Sequence, residues 1–284
     1  MKVGYQLWVS PLTGERRHGT DFKSLKKIFM DSVTTKNICE PLLSCEMDMV
    51  ATDIHEMLSQ RDFDSAGVID ENKKVVGYVL TNELGDGVIS DYIKKIERDA
   101  VISDSTPIPV LINELSRKEC LYVNFGRDIL YIVTKADINK PPIRIFIFGV
   151  ISLFEIHLNY WVGKIYKNDE VIREIIGNDR FESASILYKT AKVKNENEDV
   201  SLVGYLQLGD KKRLLCCDAD FCNNFSLSKN KMKGFVEMAE KVRNNIAHSQ
   251  SSIFTDVPLN EISVLLSDIE RFIERSENLS MFNN

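Results

Sequence analysis

The sequence predicts an α+β protein in which a repeated α/β module is followed by an all-helical domain. Three observations indicate this class: an internal repeat without gaps, two adjacent prolines directly after it, and the near absence of strand patterns in the rest of the chain. Residues 47–84 align with residues 101–138 at an offset of 54 positions. With 284 residues, the chain is long enough for each part to bury its own core.

The chain is expected to contain three segments. Residues 1–30 form a turn-rich segment to which the sequence assigns no role. Residues 31–140 hold the two repeats. Residues 141–284 form the helical domain, because Pro141-Pro142 suits the first turn of a helix that starts where the second repeat ends.

Each repeat is predicted to follow the order β-α-β-β-α, with an extended start, a short helix and two brief strands joined by a polar turn. A single module of this size cannot cover both faces of its sheet, so we expect the two copies to pack together. The predicted strands are 49–51, 67–69 and 75–79 in the first copy, and 101–103, 121–123 and 129–133 in the second.

The end of the second repeat carries a pair of polar residues, Thr134 and Asp137, three positions apart. With this ending, the two copies resemble the CBS domain pair, tandem modules that bind adenine nucleotides, S-adenosylmethionine or cyclic dinucleotides in clefts between the repeats. In that family a Gly-x-x-Thr-x-x-Asp ending places a hydroxyl on phosphate and a carboxylate on both ribose hydroxyls. The second copy here has Tyr131 in the glycine position.

The first repeat matches the same ending less well. It keeps Gly77 and a carboxylate, Glu83, but has Leu80 in the threonine position, with Thr81 beside it. The resemblance therefore implies a nucleotide site at the second copy, with Thr81 and Glu83 as a degenerate counterpart. The ligand it implies is AMP, ATP, S-adenosylmethionine or a cyclic dinucleotide.

A structural role explains the same residue types in the second repeat. Thr and Asp are common at helix N-termini, where their side chains accept hydrogen bonds from free backbone N–H groups. Thr134 and Asp137 are thus candidates both for capping the helix that begins there and for holding a nucleotide.

The C-terminal domain is predicted to be an all-α bundle, since apolar residues recur there at helical spacing. Polar stretches at 194–198 and 222–226 are predicted loops. The predicted helices are 142–166, 169–191, 199–215, 231–248 and 258–277.

The most apolar stretch of the chain, 143–162, has nearly the length of a membrane span. Arg144, Glu155, His157 and Asn159 interrupt it, and the uninterrupted part has the length of a buried core helix. We therefore expect a soluble protein with no membrane partner. Buried in that helix, Glu155 needs a cation, and Arg243 and Arg144 are the candidates.

The predicted helix at 231–248 ends in a second polar motif, Arg243-Asn244-Asn245-Ile246-Ala247-His248. Arg243 falls within the arc of the apolar stripe of this helix, so its guanidinium requires a partner or a working site. The polar run 249–252 predicts that the helix ends near His248, which leaves the imidazole free to turn toward the arginine or toward a second subunit.

This motif resembles that of the HEPN family, small helical bundles that carry Arg-x4-6-His with a polar residue after the arginine. The resemblance implies catalytic roles for Arg243, Asn244 and His248 in metal-independent RNA cleavage, with two motifs meeting across a homodimer. The chemistry is intelligible, since an imidazole can exchange protons with the ribose 2′-hydroxyl and the leaving oxygen. A guanidinium can stabilise charge that gathers on the phosphate.

A non-catalytic interpretation of the same motif stays open. A cation such as His248 is favoured at a helix C-terminus, and Arg243 can simply pair with an acid. In that case the protein is a nucleotide-responsive regulatory or binding module that dimerises through its helical domain.

Charge and cysteine content restrict the other possibilities. The net charge of −6 argues against bulk coating of nucleic acid, and DNA is not an expected partner. The N-terminus lacks the basic-then-apolar order of a secretory signal, so a cytoplasmic location is expected. Cys216, Cys217 and Cys222 lack zinc-ribbon spacing and a nearby histidine, and no metal site is predicted.

Overall fold

The computed structural model of the protein describes residues 10–14, 21–194, 201–248, 252–254 and 257–281. The chain divides into two compact units. The repeat unit comprises residues 29–143, and the helical unit comprises the described residues of 1–28 and 144–284. The first helix, α1 (Phe22–Asp31), precedes the repeats.

The repeat unit contains seven short strands and two α-helices within its described residues, with one-turn 3₁₀ helices between them. In chain order the elements are β1 (Glu40–Pro41), β2 (Ser44–Glu46), α2 (Ala51–Gln60), β3 (Ser65–Ile69), β4 (Val75–Leu80), β5 (Val101–Ser103), α3 (Ile108–Leu115), β6 (Cys120–Phe125) and β7 (Asp128–Thr134).

The strands form two sheets with the same local order. In the first, β2 runs parallel to β3, and β3 is antiparallel to β4. In the second, β5 runs parallel to β6, and β6 is antiparallel to β7. The short strand β1 adds an antiparallel edge to the second sheet, where Glu40 lies opposite Ile132. The predicted internal repeat is therefore present as two equivalent β-α-β-β modules.

Each module ends in a 3₁₀ helix, at Thr81–Glu83 in the first copy and at Lys135–Asn139 in the second. The two 3₁₀ helices start 54 residues apart, which is the offset of the internal repeat in the sequence. These one-turn helices stand where the β-α-β-β-α order predicted a closing α-helix.

The first strand of the first copy lies earlier in the chain than predicted. Residues 49–51 were expected to be the first strand, but the strand that pairs with β3 is β2. Val50 is extended and forms an isolated antiparallel bridge with Val88, and Ala51 begins α2. The apolar character of residues 49–51 resembles that of a strand. Cys45 of β2 is fully buried in the parallel pair of β2 and β3, and it occupies the place in the sheet that was predicted for residues 49–51.

The helical unit is built from α1 and seven further helices within its described residues, with a 3₁₀ turn at Leu202–Tyr205. These helices are α4 (Pro141–Ile165), α5 (Asp169–Ile176), α6 (Asn178–Lys194), α7 (Leu208–Cys217), α8 (Ala219–Asn224), α9 (Lys229–Ala247) and α10 (Leu259–Met281).

Several helix boundaries differ from the prediction. The expected helix at 169–191 is two helices, because Gly177 has φ +92° and ψ 153°, a conformation close to glycine-only, and ends α5. The expected loop at 222–226 overlaps α8, whose first turn is capped by Asp218. The expected helix at 199–215 begins only at Leu208, after the 3₁₀ turn.

The end of the segment 1–30 is also helical rather than turn-rich. Asp21 starts α1 because its carboxylate accepts hydrogen bonds from the backbone N–H and the hydroxyl of Ser24, at 2.8 and 2.7 Å. Phe22 and Phe29 lie seven positions apart, on one face of the helix, and are buried. The rest of the segment is described only at residues 10–14.

Helix α4 is the central helix of the helical core. Among the described residues it is the one helix whose length and composition permit a membrane crossing, and 61% of its most apolar window is buried within the protein. Phe154 contacts Phe272 edge-on at 5.0 Å between ring centroids, and Trp161 contacts Phe225 at 5.3 Å. His157 and Trp161 both hydrogen-bond to the hydroxyl of Ser276, at 2.7 Å each.

We expect Gly177→Ala to destabilise the helical unit through its backbone alone. A Cβ at this position would meet no atom within 4 Å, but φ +92° is strained for alanine, at a cost of roughly 1–3 kcal/mol. Urea unfolding measures the loss. The matched control is Gly204→Ala, at which a Cβ also meets open space and φ is not positive. Equal stability of the two variants would contradict this account of the helix break.

Candidate functional site

At the end of the second repeat, Thr134 and Asp137 are brought together as a closed cap. The carboxylate Oδ2 of Asp137 accepts hydrogen bonds from the backbone N–H of Thr134 at 2.7 Å and from its hydroxyl at 3.1 Å. Asp137 is buried, and its capping of Lys135–Asn139 fits the structural role considered for this pair. The same geometry places a hydroxyl and a carboxylate side by side.

The second oxygen of Asp137 is paired with Lys140. The ammonium group lies 2.8 Å from Oδ1 of Asp137 and also pairs with the carboxylate of Glu40 on β1. Burial by itself lowers the pKa of Lys140, but its hydrogen bonds to Asp137 and Glu40 outweigh that effect and raise the pKa. Lys140 was not among the residues chosen from the sequence, although its position three residues after Asp137 suits an ion pair.

In the first repeat, Thr81 and Glu83 do not act on one another. The hydroxyl of Thr81 donates to the carbonyl of Phe63 at 2.5 Å, and its own carbonyl lies 2.8 Å from Nδ1 of His55. The carboxylate of Glu83 pairs with Lys94. Thr81 and Glu83 thus bind different partners, whereas Thr134 and Asp137 of the second copy bind each other.

Arg243, on α9, is half-buried and held by two neighbours. Its Nε and one terminal nitrogen donate to Oδ1 of Asn244, at 3.3 and 3.0 Å. Its other terminal nitrogen lies 3.8 Å from a carboxylate oxygen of Glu155 on α4, the pairing considered from the sequence. The polar residue that follows the arginine in the motif therefore orients the guanidinium.

Glu155 has a second and closer cation, Lys211 on α7. The ammonium group of Lys211 is fully buried and lies 2.6 Å from Oε1 of Glu155. Burial lowers the pKa of Lys211, the nearby Glu155 carboxylate opposes that shift, and the charge of Arg243 adds to it. One half-exposed carboxylate thus compensates two cations.

A second ion pair, between Asp210 and Arg180, lies next to Lys211 in the chain. Asp210, also buried, lies 3.3 Å from Nε of Arg180, and Arg180 donates to the side-chain oxygen of Gln207 at 2.7 Å. We call Glu155, Asp210, Arg180, Lys211 and Arg243 the charge cluster. With all its groups ionised, three cations face two carboxylates, so the cluster carries one positive charge in excess.

His248 lies at the C-terminal cap of α9 and is exposed. Its backbone N–H donates to the carbonyl of Asn244 at 2.9 Å. Within the part of the chain that the structure describes, no hydrogen bond joins its imidazole to Arg243. The motif is thus presented at one helix end, with the arginine anchored and the histidine ring open to solvent.

The three cysteines before α9 differ in burial: Cys222 is buried, Cys216 is partly buried and Cys217 is exposed. The Cys216 sulfur contacts the carbonyl of Lys229 at 3.7 Å and that of Cys222 contacts Leu215 at 3.8 Å. Burial raises the pKa of both thiols, which favours the neutral form that binds metals poorly. Among the described residues there is no group of three or more His, Cys, Asp or Glu side chains arranged to hold a metal ion.

No protein family matches the chain as a whole or in part, and no curated protein matches it. Solved structures do. CBSX2 of Arabidopsis thaliana in complex with AMP is 20% identical over 39% of this chain and 97% of its own, with a TM-score of 0.34. The CBS domains of a transcriptional regulator from Streptococcus pneumoniae are 18% identical over 38% and 98%, with a TM-score of 0.34.

A third solved structure is the CBS domain pair of protein MJ0100 in complex with 5′-methylthioadenosine and S-adenosyl-L-methionine. It is 17% identical over 37% of this chain and 95% of its own, with a TM-score of 0.31.

The lowered pKa of Lys211 predicts a specific dependence of stability on pH. The unfolded chain holds this proton up to the ordinary value of 10.5, whereas the folded protein releases it earlier, so the free energy of unfolding gains a positive slope with pH between the two values. Urea unfolding of wild type and Lys211→Met from pH 7 to 10.5 isolates this contribution.

We expect the stability of wild type relative to Lys211→Met to rise over this pH range. Lys241→Met, a substitution at an exposed lysine on α9, serves as the control and should leave the slope unchanged. A difference between wild type and Lys211→Met that is flat with pH would show that the buried lysine is not destabilised in its charged form.

Proposed function

We propose that this protein is a nucleotide-responsive, metal-independent endoribonuclease that works in the cytoplasm. The repeat unit binds an adenine nucleotide or a related ligand, and the helical unit cuts RNA at Arg243 and His248. The observation that carries the proposal is the arrangement of the motif: Asn244 and Glu155 hold the guanidinium half-exposed, on the same helix as an imidazole open to solvent.

The chemistry requires a proton acceptor, a proton donor and a stabiliser of phosphate charge. The ribose 2′-oxygen attacks phosphorus and loses its proton to His248, the bond from phosphorus to the 5′-oxygen breaks, and that oxygen takes up a proton. Arg243 stabilises the negative charge on the phosphate oxygens. Since one imidazole cannot conveniently serve both ends of an in-line displacement, the second His248 comes from another copy of the chain.

The local charge supports an anionic substrate. The chain as a whole carries −6, which repels RNA, but Arg243 and Lys211 share one carboxylate, that of Glu155, so the cation of the motif is only partly compensated. A phosphate that reaches Arg243 meets a guanidinium already oriented by Asn244, so little side-chain freedom is lost when it binds.

The proposed ligand site in the repeat unit uses the cap at Thr134 and Asp137. A ribose diol can reach the carboxylate of Asp137 only by sharing or replacing its pairing with Lys140, and the ammonium group then keeps the carboxylate of Glu40 and the carbonyl of Ile38 as partners. AMP, ATP, S-adenosylmethionine and a cyclic dinucleotide are the ligands that the CBS resemblance implies. To control cleavage, the ligand must favour one of two states of the protein.

The second candidate function is a non-catalytic, nucleotide-responsive binding module that forms a homodimer through its helical unit. The pairing of Arg243 with Glu155 favours it, because an arginine that compensates a carboxylate has a structural role whether or not RNA is present. RNA cleavage separates the two candidates directly.

For the ribonuclease, we expect purified protein to cut single-stranded RNA in EDTA, and His248→Ala to cut it on the order of 10²-fold more slowly or worse, because a general acid or base is lost. The matched control is Lys241→Ala, an exposed cation on the same helix that the proposal does not use. Equal cleavage by wild type and His248→Ala, or none by either, would eliminate the enzyme and leave the binding module.

For the sensor, we expect one of the four ligands to raise the melting temperature of wild type, and Asp137→Asn to abolish that shift. Because Asp137 also caps a helix, its substitution lowers the stability of the free protein by about 1 kcal/mol, so the ligand-induced change is the readout. Asp128→Asn, at an exposed position on β7, controls for charge. A shift that persists in Asp137→Asn would place the ligand elsewhere.

A further inference from the structure

Helices α9 and α10 enclose a groove of about 770 Å³ on the helical unit, away from the residues of the motif. Its floor is apolar and includes Phe225, Phe235 and Phe272, whose rings belong to the aromatic core. On α10 the groove extends from Asn260 to Arg275, about 22 Å at the rise of an α-helix. It is therefore long and narrow.

The dimensions suit a row of side chains from a helix. The groove follows about four turns of α10, so a helix of similar length can lie along it. A compact ligand would fill only part of such a groove. An amphipathic helix that lies along the groove covers all of it.

Gly234 on α9 has no neighbouring atom that explains why this residue is a glycine. Gly234 lines the groove in the middle of a 19-residue helix, and a Cβ added there would meet no atom within 4 Å. Glycine costs a helix interior roughly 0.5–1 kcal/mol relative to alanine. No described atom of the helical unit lies close enough to require a glycine here, and the missing side chain lets a second helix approach the backbone of α9 closely.

The rim of the groove on α10 is divided by charge. Glu261 and Asp268 lie toward its N-terminal half and Arg271 and Arg275 toward its C-terminal half, with the 60%-exposed Val264 between the acids. These five residues are spaced by three and four positions, as in the packing seam of paired helices. Asp268 pairs with Arg271 of the same helix.

Two residues of this seam keep charge available for a partner. Glu261 has no ion pair among the described residues, and Arg275 uses Nε on the carbonyl of Asn224, which leaves its terminal nitrogens. A helix that fits here carries a basic end opposite Glu261 and an acidic end opposite Arg275. Helix α10 itself has this pattern when it runs antiparallel.

We propose that the groove between α9 and α10 is an isologous interface that takes α10 of a second copy of this chain, centred near Asp268. Under that twofold axis Glu261 of each copy faces Arg275 of the other, and each exposed Val264 enters the groove beside Phe272 of the other copy. The two Asp268 side chains near the axis are neutralised by their own Arg271. This interface lies away from Arg243 and His248 and does not bring the motifs of two copies together, so it is separate from the contact that pairs two His248 side chains in the proposed ribonuclease.

Charge exchange tests the twofold relation. Sedimentation velocity of the full chain is expected to give a mass of at least twice 32.4 kDa, and Glu261→Lys and Arg275→Glu are each expected to weaken the association through α10 at least tenfold, because each places like charges together at both symmetry-related positions. Mixed in equal amounts, the two variants are expected to associate again, since every facing pair is then opposite in sign. Circular dichroism verifies that both variants fold.

A second variant tests the packing. Gly234→Leu is expected to fill the groove and weaken the dimer, whereas Lys241→Leu, on the same helix but outside the groove, is not. A wild-type chain that stays monomeric at about 100 µM, a dimer that tolerates both charge reversals, or a mixture that does not associate would overturn the proposal. The proposal would also be overturned if the wild-type chain is a monomer that an unrelated amphipathic peptide stabilises, because the groove would then bind a different protein.

Discussion

A buried ammonium group needs a compensating charge, and in the helical unit that charge comes from a helix far away in sequence. Lys211 on α7 is fully buried and its charged form persists only because Glu155 on α4 lies 2.6 Å away. The same carboxylate reaches Arg243 on α9. Three helices are therefore joined by one side chain, and the position of the guanidinium relative to α4 follows from the pairing that keeps Lys211 in the core.

The repeat could be predicted from the sequence because its signal is global: to within one position, an offset of 54 residues relates the starts of the last two strands and of the closing 3₁₀ helix in the two copies, whereas the first strands, β2 and β5, start 57 positions apart. The errors fell where a local pattern was ambiguous. Residues 49–51 are apolar like a strand, yet Ala51 already begins α2, and the short α8 ends in polar residues, Asn223 and Asn224, that are typical of a loop. The break at Gly177 depends on a backbone conformation that composition does not reveal.

The candidate site was predictable to a different degree. A carboxylate inside an apolar run requires a cation, and this argument predicted Arg243 or Arg144 as the partner of Glu155, of which Arg243 forms the ion pair at 3.8 Å. It did not identify Lys211, because a lysine next to Lys212 and Arg213 has the pattern of a solvated surface. Only the packing of α7 shows which of these cations is turned inward. The contact of Lys140 with Glu40 joins residues 100 positions apart and has no local signal.

The helical unit is interrupted in sequence by the whole repeat unit, and this has a consequence for biosynthesis. Helix α1 belongs with segments that leave the ribosome much later: Lys26 pairs with Glu270 at 2.5 Å, across 244 residues, and Leu25 packs against Gly149. The inserted modules have mainly short-range pairings and can complete their folding first. The apolar residues of α1 that pack in the helical unit therefore stay exposed until the later segments are made, so α1 is synthesised before the repeat unit but buried after it.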